Sequence, residues 1–93
     1  MFYCDNLKIR DNYGRERIFR GVNICLKPHW INEHFVRKHL LKEINFEKFR
    51  SVGVNIIRLG ITWAAIEPEE GKYNDKLIYV LKDYIHKCAE NNI

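Results

Sequence analysis

No stretch of the 93-residue sequence approaches the roughly 20 consecutive apolar residues of a membrane-spanning helix. The N-terminus, Met1-Phe2-Tyr3-Cys4-Asp5-Asn6, lacks the apolar core of a signal peptide. No Asn-x-Ser/Thr acceptor occurs, so the residues give no argument for secretion. Cysteine is scarce. Cys4, Cys25 and Cys88 make an odd count without a Cys-x-x-Cys pair, which leaves no closed disulfide framework and no cysteine zinc site. All three are expected as small buried hydrophobes. His34 and His39 are five apart, off the i, i+4 spacing that places two ligands on one helix face, so no metal site is expected. There is no Gly/Ser linker, low-complexity tract or internal repeat, and the length allows one small domain.

What is present is ordinary globular composition, with 46% hydrophobic and 30% charged residues. The net charge of +4 raises the question of nucleic acid. The distribution argues against it. Arg10, Arg15, Arg17, Arg20, Arg37, Lys38, Lys42, Lys48 and Arg50 are scattered, with Asp11, Glu16, Glu43 and Glu47 among them.

Alternation in Leu7-Lys8-Ile9-Arg10, a turn cluster at Asp11-Asn12-Tyr13-Gly14, and Arg17-Ile18-Phe19-Arg20 predict a hairpin over residues 7–20. Gly21–Leu26 is apolar almost throughout and reads as a strand covered on both sides, stopped by Pro28. Residues 31–45 read as a loop with some helix. Asn45 is an N-cap candidate for a short helix over 46–52, closed by Gly53. Val54–Leu59 is a second buried strand, rich in β-branched residues. After a loop, Asn74 caps a helix over 75–90 whose apolar face carries Leu77, Ile78, Leu81, Tyr84, Ile85 and Cys88. The order is βαβα, the pattern of a parallel sheet with helices outside it.

Gly53-Val54-Asn55-Ile56-Ile57-Arg58-Leu59-Gly60-Ile61-Thr62-Trp63 resembles the second barrel strand of glycoside hydrolase family 5, the cellulase-like enzymes. Ile66-Glu67-Pro68-Glu69-Glu70-Gly71-Lys72-Tyr73-Asn74 is similar to the loop that follows it in that family. Asp11–Arg15 and Ile18–Asn23 resemble the opening hairpin and first strand. Within the family the likeness is greatest to endoglycoceramidases, which release oligosaccharide from ceramide in glycosphingolipids.

The resemblance implies an α/β fold: an incomplete (β/α)8 barrel, two βα units preceded by a hairpin. It implies retaining hydrolysis of O-glycosyl bonds by two carboxyl groups about 5 Å apart, with no cofactor. In the family these glutamates lie at the ends of the fourth and seventh strands. The chain breaks off at Ile93, where a third strand would start, so neither catalytic glutamate is assigned here and a piece of a longer enzyme is expected. Related enzymes are secreted or lysosomal.

Three residues are candidates for supporting the site. Arg58 matches the family's arginine that holds the nucleophile ionised, and a charge inside an apolar strand needs a partner in any case. Asn23 is expected either to face the barrel interior or to bond locally. Trp63, beyond the second strand, offers an indole face for sugar stacking or for packing under the loop. Trp30 is a weaker candidate of the same kind. Glu67, Glu69 and Glu70 read as loop structure, not as an acid/base pair. The implied partner is a carbohydrate or glycolipid. The other reading is a catalytically dead remnant that binds carbohydrate or protein and self-associates through open strand edges.

Overall fold

The computed structural model describes residues 1–27 and 30–93. The strand stop assigned to Pro28 lies outside the described residues.

The chain opens with strands β1 (Phe2–Asp5) and β2 (Lys8–Asp11), paired antiparallel. Their two-residue turn is Asn6-Leu7, with φ of 48° and 63°. Both dihedrals match the type I′ turn that suits strand twist, although Leu is an uncommon occupant of it. The expected hairpin over residues 7–20 is therefore displaced. The reversal falls at Asn6-Leu7, and Arg17–Arg20 is not a strand. A single bridge between Arg10 and Glu16, with the Arg17 N–H donating to the Ile9 carbonyl at 2.7 Å, is what remains of the expected return.

Asp11 explains that outcome. Its buried carboxylate accepts from the backbone N–H groups of Tyr13 (2.9 Å) and Arg15 (3.1 Å) and from the Arg15 guanidinium (2.8 Å). The turn is thus closed by a side chain, and the strand ladder yields to it.

The central unit is β3 (Gly21–Leu26) paired parallel with β4 (Ile56–Ile61). A helical crossover joins them: α1 (Glu33–Val36), a π-helical stretch at Arg37–Lys42, and α2 (Phe46–Ser51). This is a parallel β-α-β arrangement. Helix α3 (Trp63–Ile66) is a single turn, and α4 (Asp75–Glu90) closes the chain.

Local signals set the helix ends. Asn32, Asn45 and Asn74 each accept a backbone N–H three residues on, at 3.0, 2.9 and 3.2 Å. Helices α2 and α4 stop in the same way. Gly53 (φ 86°) and Asn92 (φ 58°) take the left-handed conformation. Val54 then donates to Phe49 and Ile93 to Cys88, both at 3.0 Å. This pattern satisfies carbonyls that the last turn would leave orphaned.

The second strand starts at Ile56, not Val54. Asn55 accounts for the shift. Its N–H donates to the Arg20 carbonyl (2.8 Å), its Oδ1 accepts from the Arg20 N–H (2.8 Å), and its Nδ2 donates to the Ile18 carbonyl (2.9 Å). One side chain thus ties the lead-in of β3 to the lead-in of β4.

The core fills the space between the helices and one face of the sheet. Leu26, Val36, Leu40, Phe46, Leu77, Val80 and Tyr84 are buried there, with Ile24, Ile57, Leu59 and Ile61 packed against them. On α4 the buried residues are Leu77, Val80, Tyr84 and Cys88. Ile85, expected in the core, is exposed, because it lies off that stripe and beside the free edge of β4.

The opposite face of the sheet is open. Gly21, Asn23 and Cys25 of β3 and Ile56 and Arg58 of β4 are exposed on it. The expectation of strands covered on both sides is corrected here: among the described residues, helices pack on one side only. The same alternation exposes Cys25. Cys4 is exposed as well, and only Cys88 fulfils the buried-hydrophobe expectation. No described helix is long and apolar enough to cross a membrane.

Candidate functional site

The open face derives its chemistry from register. Asn23 pairs with Arg58, and Cys25 with Gly60. Register partners project from the same side, and adjacent strands lie about 4.8 Å apart. The Asn23 amide and the Arg58 guanidinium are therefore rooted side by side. One pair further on, Gly60 contributes no side chain. A Cβ there would come within 3.2 Å of the Cys25 sulfur, so the missing side chain leaves a trough. Lys27, just past the end of β3, keeps the parity of Asn23 and Cys25 and completes the wall. Asn23, Cys25, Lys27, Arg58 and Gly60 together line a groove of about 310 Å³.

Among the described residues, the groove is lined by two cations, an amide and a thiol, and by no carboxylate. None of the ion pairs among the described residues includes Arg58 or Lys27. The partner expected for a buried Arg58 is absent among the described residues because the residue is exposed: water solvates the guanidinium. Desolvation would create the need for a counter-charge.

Two of the three candidate residues are thus brought together, and Trp63 is not. It does not line the groove, and lies at the first turn of α3, two residues beyond β4, at the same carboxyl end of the strands. The residue is 79% exposed, so packing under the loop is not its role. Its indole Nε1 donates to Glu67 Oε2 at 2.6 Å, while Glu67 Oε1 accepts from the Gly71 N–H at 2.8 Å. Glu67 therefore braces the loop and fixes the tryptophan. The Gly71 N–H first, and the indole second, hold its carboxyl below the ordinary glutamate range against a smaller opposing effect of burial. Glu69 forms an ion pair with Lys72 across the same turn (2.6 Å). Trp30 is exposed too, edge-on to Phe35.

Sequence reasoning missed Cys25, Lys27 and Gly60 as groove residues. The signal was present in the period of two: a face that holds Asn23 must also hold residues 25 and 27.

The groove lies towards the carboxyl ends of the parallel strands. The model of glycoside hydrolase family 42, described as beta-galactosidase, matches residues 29–93. The chain belongs to this glycoside hydrolase family. Its clan also includes family 5, to which the sequence motifs point. The chain is similar to an endoglycoceramidase from Cyanea nozakii, 28% identical over 85 residues, covering 89% of this chain and 17% of the relative. It is likewise similar to an endoglycoceramidase from Hydra vulgaris, 31% identical over 85 residues, covering 89% and 16%. The chain therefore spans about one sixth of the length of these curated relatives. No solved structure matches.

Proposed function

We propose that this glycoside hydrolase chain forms the first two βα units of a (β/α)8 barrel, preceded by its hairpin. In this reading the whole enzyme hydrolyses the oligosaccharide–ceramide linkage of glycosphingolipids with retention. The observation that carries it is the pairing of Asn23 with Arg58 on the open sheet face. In a closed barrel that face lines the interior, and catalysis occurs at the carboxyl ends of the strands.

The chemistry assigns each residue a distinct task. Retaining hydrolysis requires a carboxylate nucleophile that stays ionised and a second carboxyl that donates and then accepts a proton. Arg58 favours the charged form of the first, since a guanidinium within about 4–6 Å lowers a carboxyl pKa. Asn23, the register partner of Arg58, offers its amide as a second donor towards the same carboxylate. Trp63, held by Glu67, offers a flat apolar face at the rim for a sugar ring. No residue of this chain is assigned as acid/base or nucleophile.

The test is hydrolysis of a fluorescent glycosphingolipid by the full-length enzyme that contains this chain, with the anomer released followed by NMR. Release of free oligosaccharide with retained configuration is expected. Arg58→Met is expected to lower kcat about a hundredfold, the scale of one lost electrostatic partner at a reacting centre. Full activity in that variant, or inversion at the anomeric carbon, overturns the reading.

One observation favours a second reading, a non-hydrolytic binding protein: among the described residues β3 and β4 have no strand partners other than each other. Unpaired strand edges invite association. Sugar binding by a self-associated chain without any bond cleavage would select it.

A further inference from the structure

We propose that Lys27 is a substrate-contacting residue, whose ammonium donates to hydroxyl oxygens of the sugar lying over Arg58. This rests on the glycosidase reading above and adds to it a determinant of substrate affinity.

Three observations converge on Lys27. It follows Asn23 and Cys25 at the same parity and lines the same groove as Arg58. It stands beyond the carboxyl end of β3, nearer the rim than Asn23, where a barrel receives its substrate. It has no ion pair among the described residues, so its ammonium is not engaged in holding the fold.

The surroundings define what it can bind. The groove wall has donors in excess, and the empty place at Gly60 gives a ring room to settle. Sugar hydroxyl oxygens are acceptors in several directions at once. A lysine suits them, with three donors on a flexible stem, where the planar fork of an arginine suits a carboxylate. The two cations thus divide the work. Arg58 faces the carboxylate that the mechanism needs, and Lys27 faces the sugar.

The experiment compares the full-length wild-type enzyme that contains this chain with its Lys27→Met and Lys27→Arg variants. Hydrolysis kinetics use a fluorescent glycosphingolipid, and binding of its free oligosaccharide is measured by saturation-transfer NMR. Lys27→Met is expected to raise KM about tenfold or more, as loss of a charged hydrogen bond does, with kcat changed less than about threefold. Oligosaccharide binding should weaken in parallel, and Lys27→Arg should restore part of both. The position is exposed, so the melting temperature should not move. Unchanged KM and unchanged binding in Lys27→Met overturn the proposal while the hydrolase reading stands. A wild type that binds the oligosaccharide but cleaves nothing, with binding lost in Lys27→Met, upholds the contact and overturns the hydrolase reading. A wild type that neither binds nor cleaves overturns both.

Discussion

Asn23 on β3 is the register partner of Arg58 on β4, and both side chains stand on the sheet face that the helices leave uncovered. Among the described residues, neither side chain takes part in a hydrogen bond or ion pair that maintains the core. The pair is therefore separable from the fold, and that separation can be measured.

In the 93-residue chain by itself, where this face is exposed, Arg58→Met and Asn23→Ala are expected to leave stability within about 0.5 kcal/mol of wild type. Denaturant melts check this. A loss of several kcal/mol in either variant would mean that the open face is part of the core packing, contrary to its exposure.

Asn55→Ala removes the two side-chain hydrogen bonds that link Ile18 and Arg20 to the start of β4. At about 0.5–1.5 kcal/mol each, the loss should be about 1–3 kcal/mol. Asn55→Asp separates the two bonds: the acceptor for Arg20 is kept, and the donor to Ile18 is lost. Its melting temperature should fall between wild type and Asn55→Ala, or below both if the carboxylate repels the Ile18 carbonyl.

Gly21→Ala should disturb the sheet more than Gly60→Ala. A Cβ on Gly21 collides with the backbone carbonyl of Ile56, which cannot move without shifting the strand pair. A Cβ on Gly60 meets the Cys25 sulfur at 3.2 Å, a side-chain atom that can give. Overpacking of this kind costs about 1–3 kcal/mol, so Gly21→Ala belongs at the upper end. Amide exchange at residues 22–24 would show whether the start of the ladder loosens, and equal melting temperatures for the two variants would contradict the ranking.

Asp11 predicts a dependence on acid. Burial raises its carboxyl pKa, but the Arg15 N–H, the Arg15 guanidinium and the Tyr13 N–H together outweigh burial and leave it below the ordinary aspartate value. A depressed folded pKa means that the unfolded chain binds the proton more readily. The stabilisation is therefore complete above the unfolded value and disappears as pH falls through the folded one. Denaturation midpoints should drop as the pH falls below the ordinary aspartate range, through the depressed folded value. Asp11→Asn should flatten that drop, and an unchanged slope would rule out Asp11 as its source.

Much of this was legible in the sequence, and the limits are physical. The caps at Asn45 and Asn74 and the stop at Gly53 depend on neighbours three to five residues away, so a local reading finds them. The parallel pairing follows from strand–helix alternation. The first hairpin was misplaced because Asp11 satisfies its own turn with side-chain bonds, an alternative that hydrophobic alternation does not record. Val54 and Asn55 fell outside β4 because Asn55 bonds back to Ile18 and Arg20, more than thirty residues earlier. For the groove, Arg58 and Asn23 were found by their polarity within apolar strands. Lys27 and Gly60 were not, since a lysine past a strand end and a glycine within one look ordinary until register sets them beside an arginine.

The period of two in the paired strands has a consequence for how such a protein changes over generations. Positions 22, 24, 26, 57, 59 and 61 face the helices, and positions 23, 25 and 58 face the groove. Selection on foldability acts through the first set and selection on ligand through the second. A lineage can therefore redraw the groove, residue by residue, while its scaffold drifts almost independently one atom layer away.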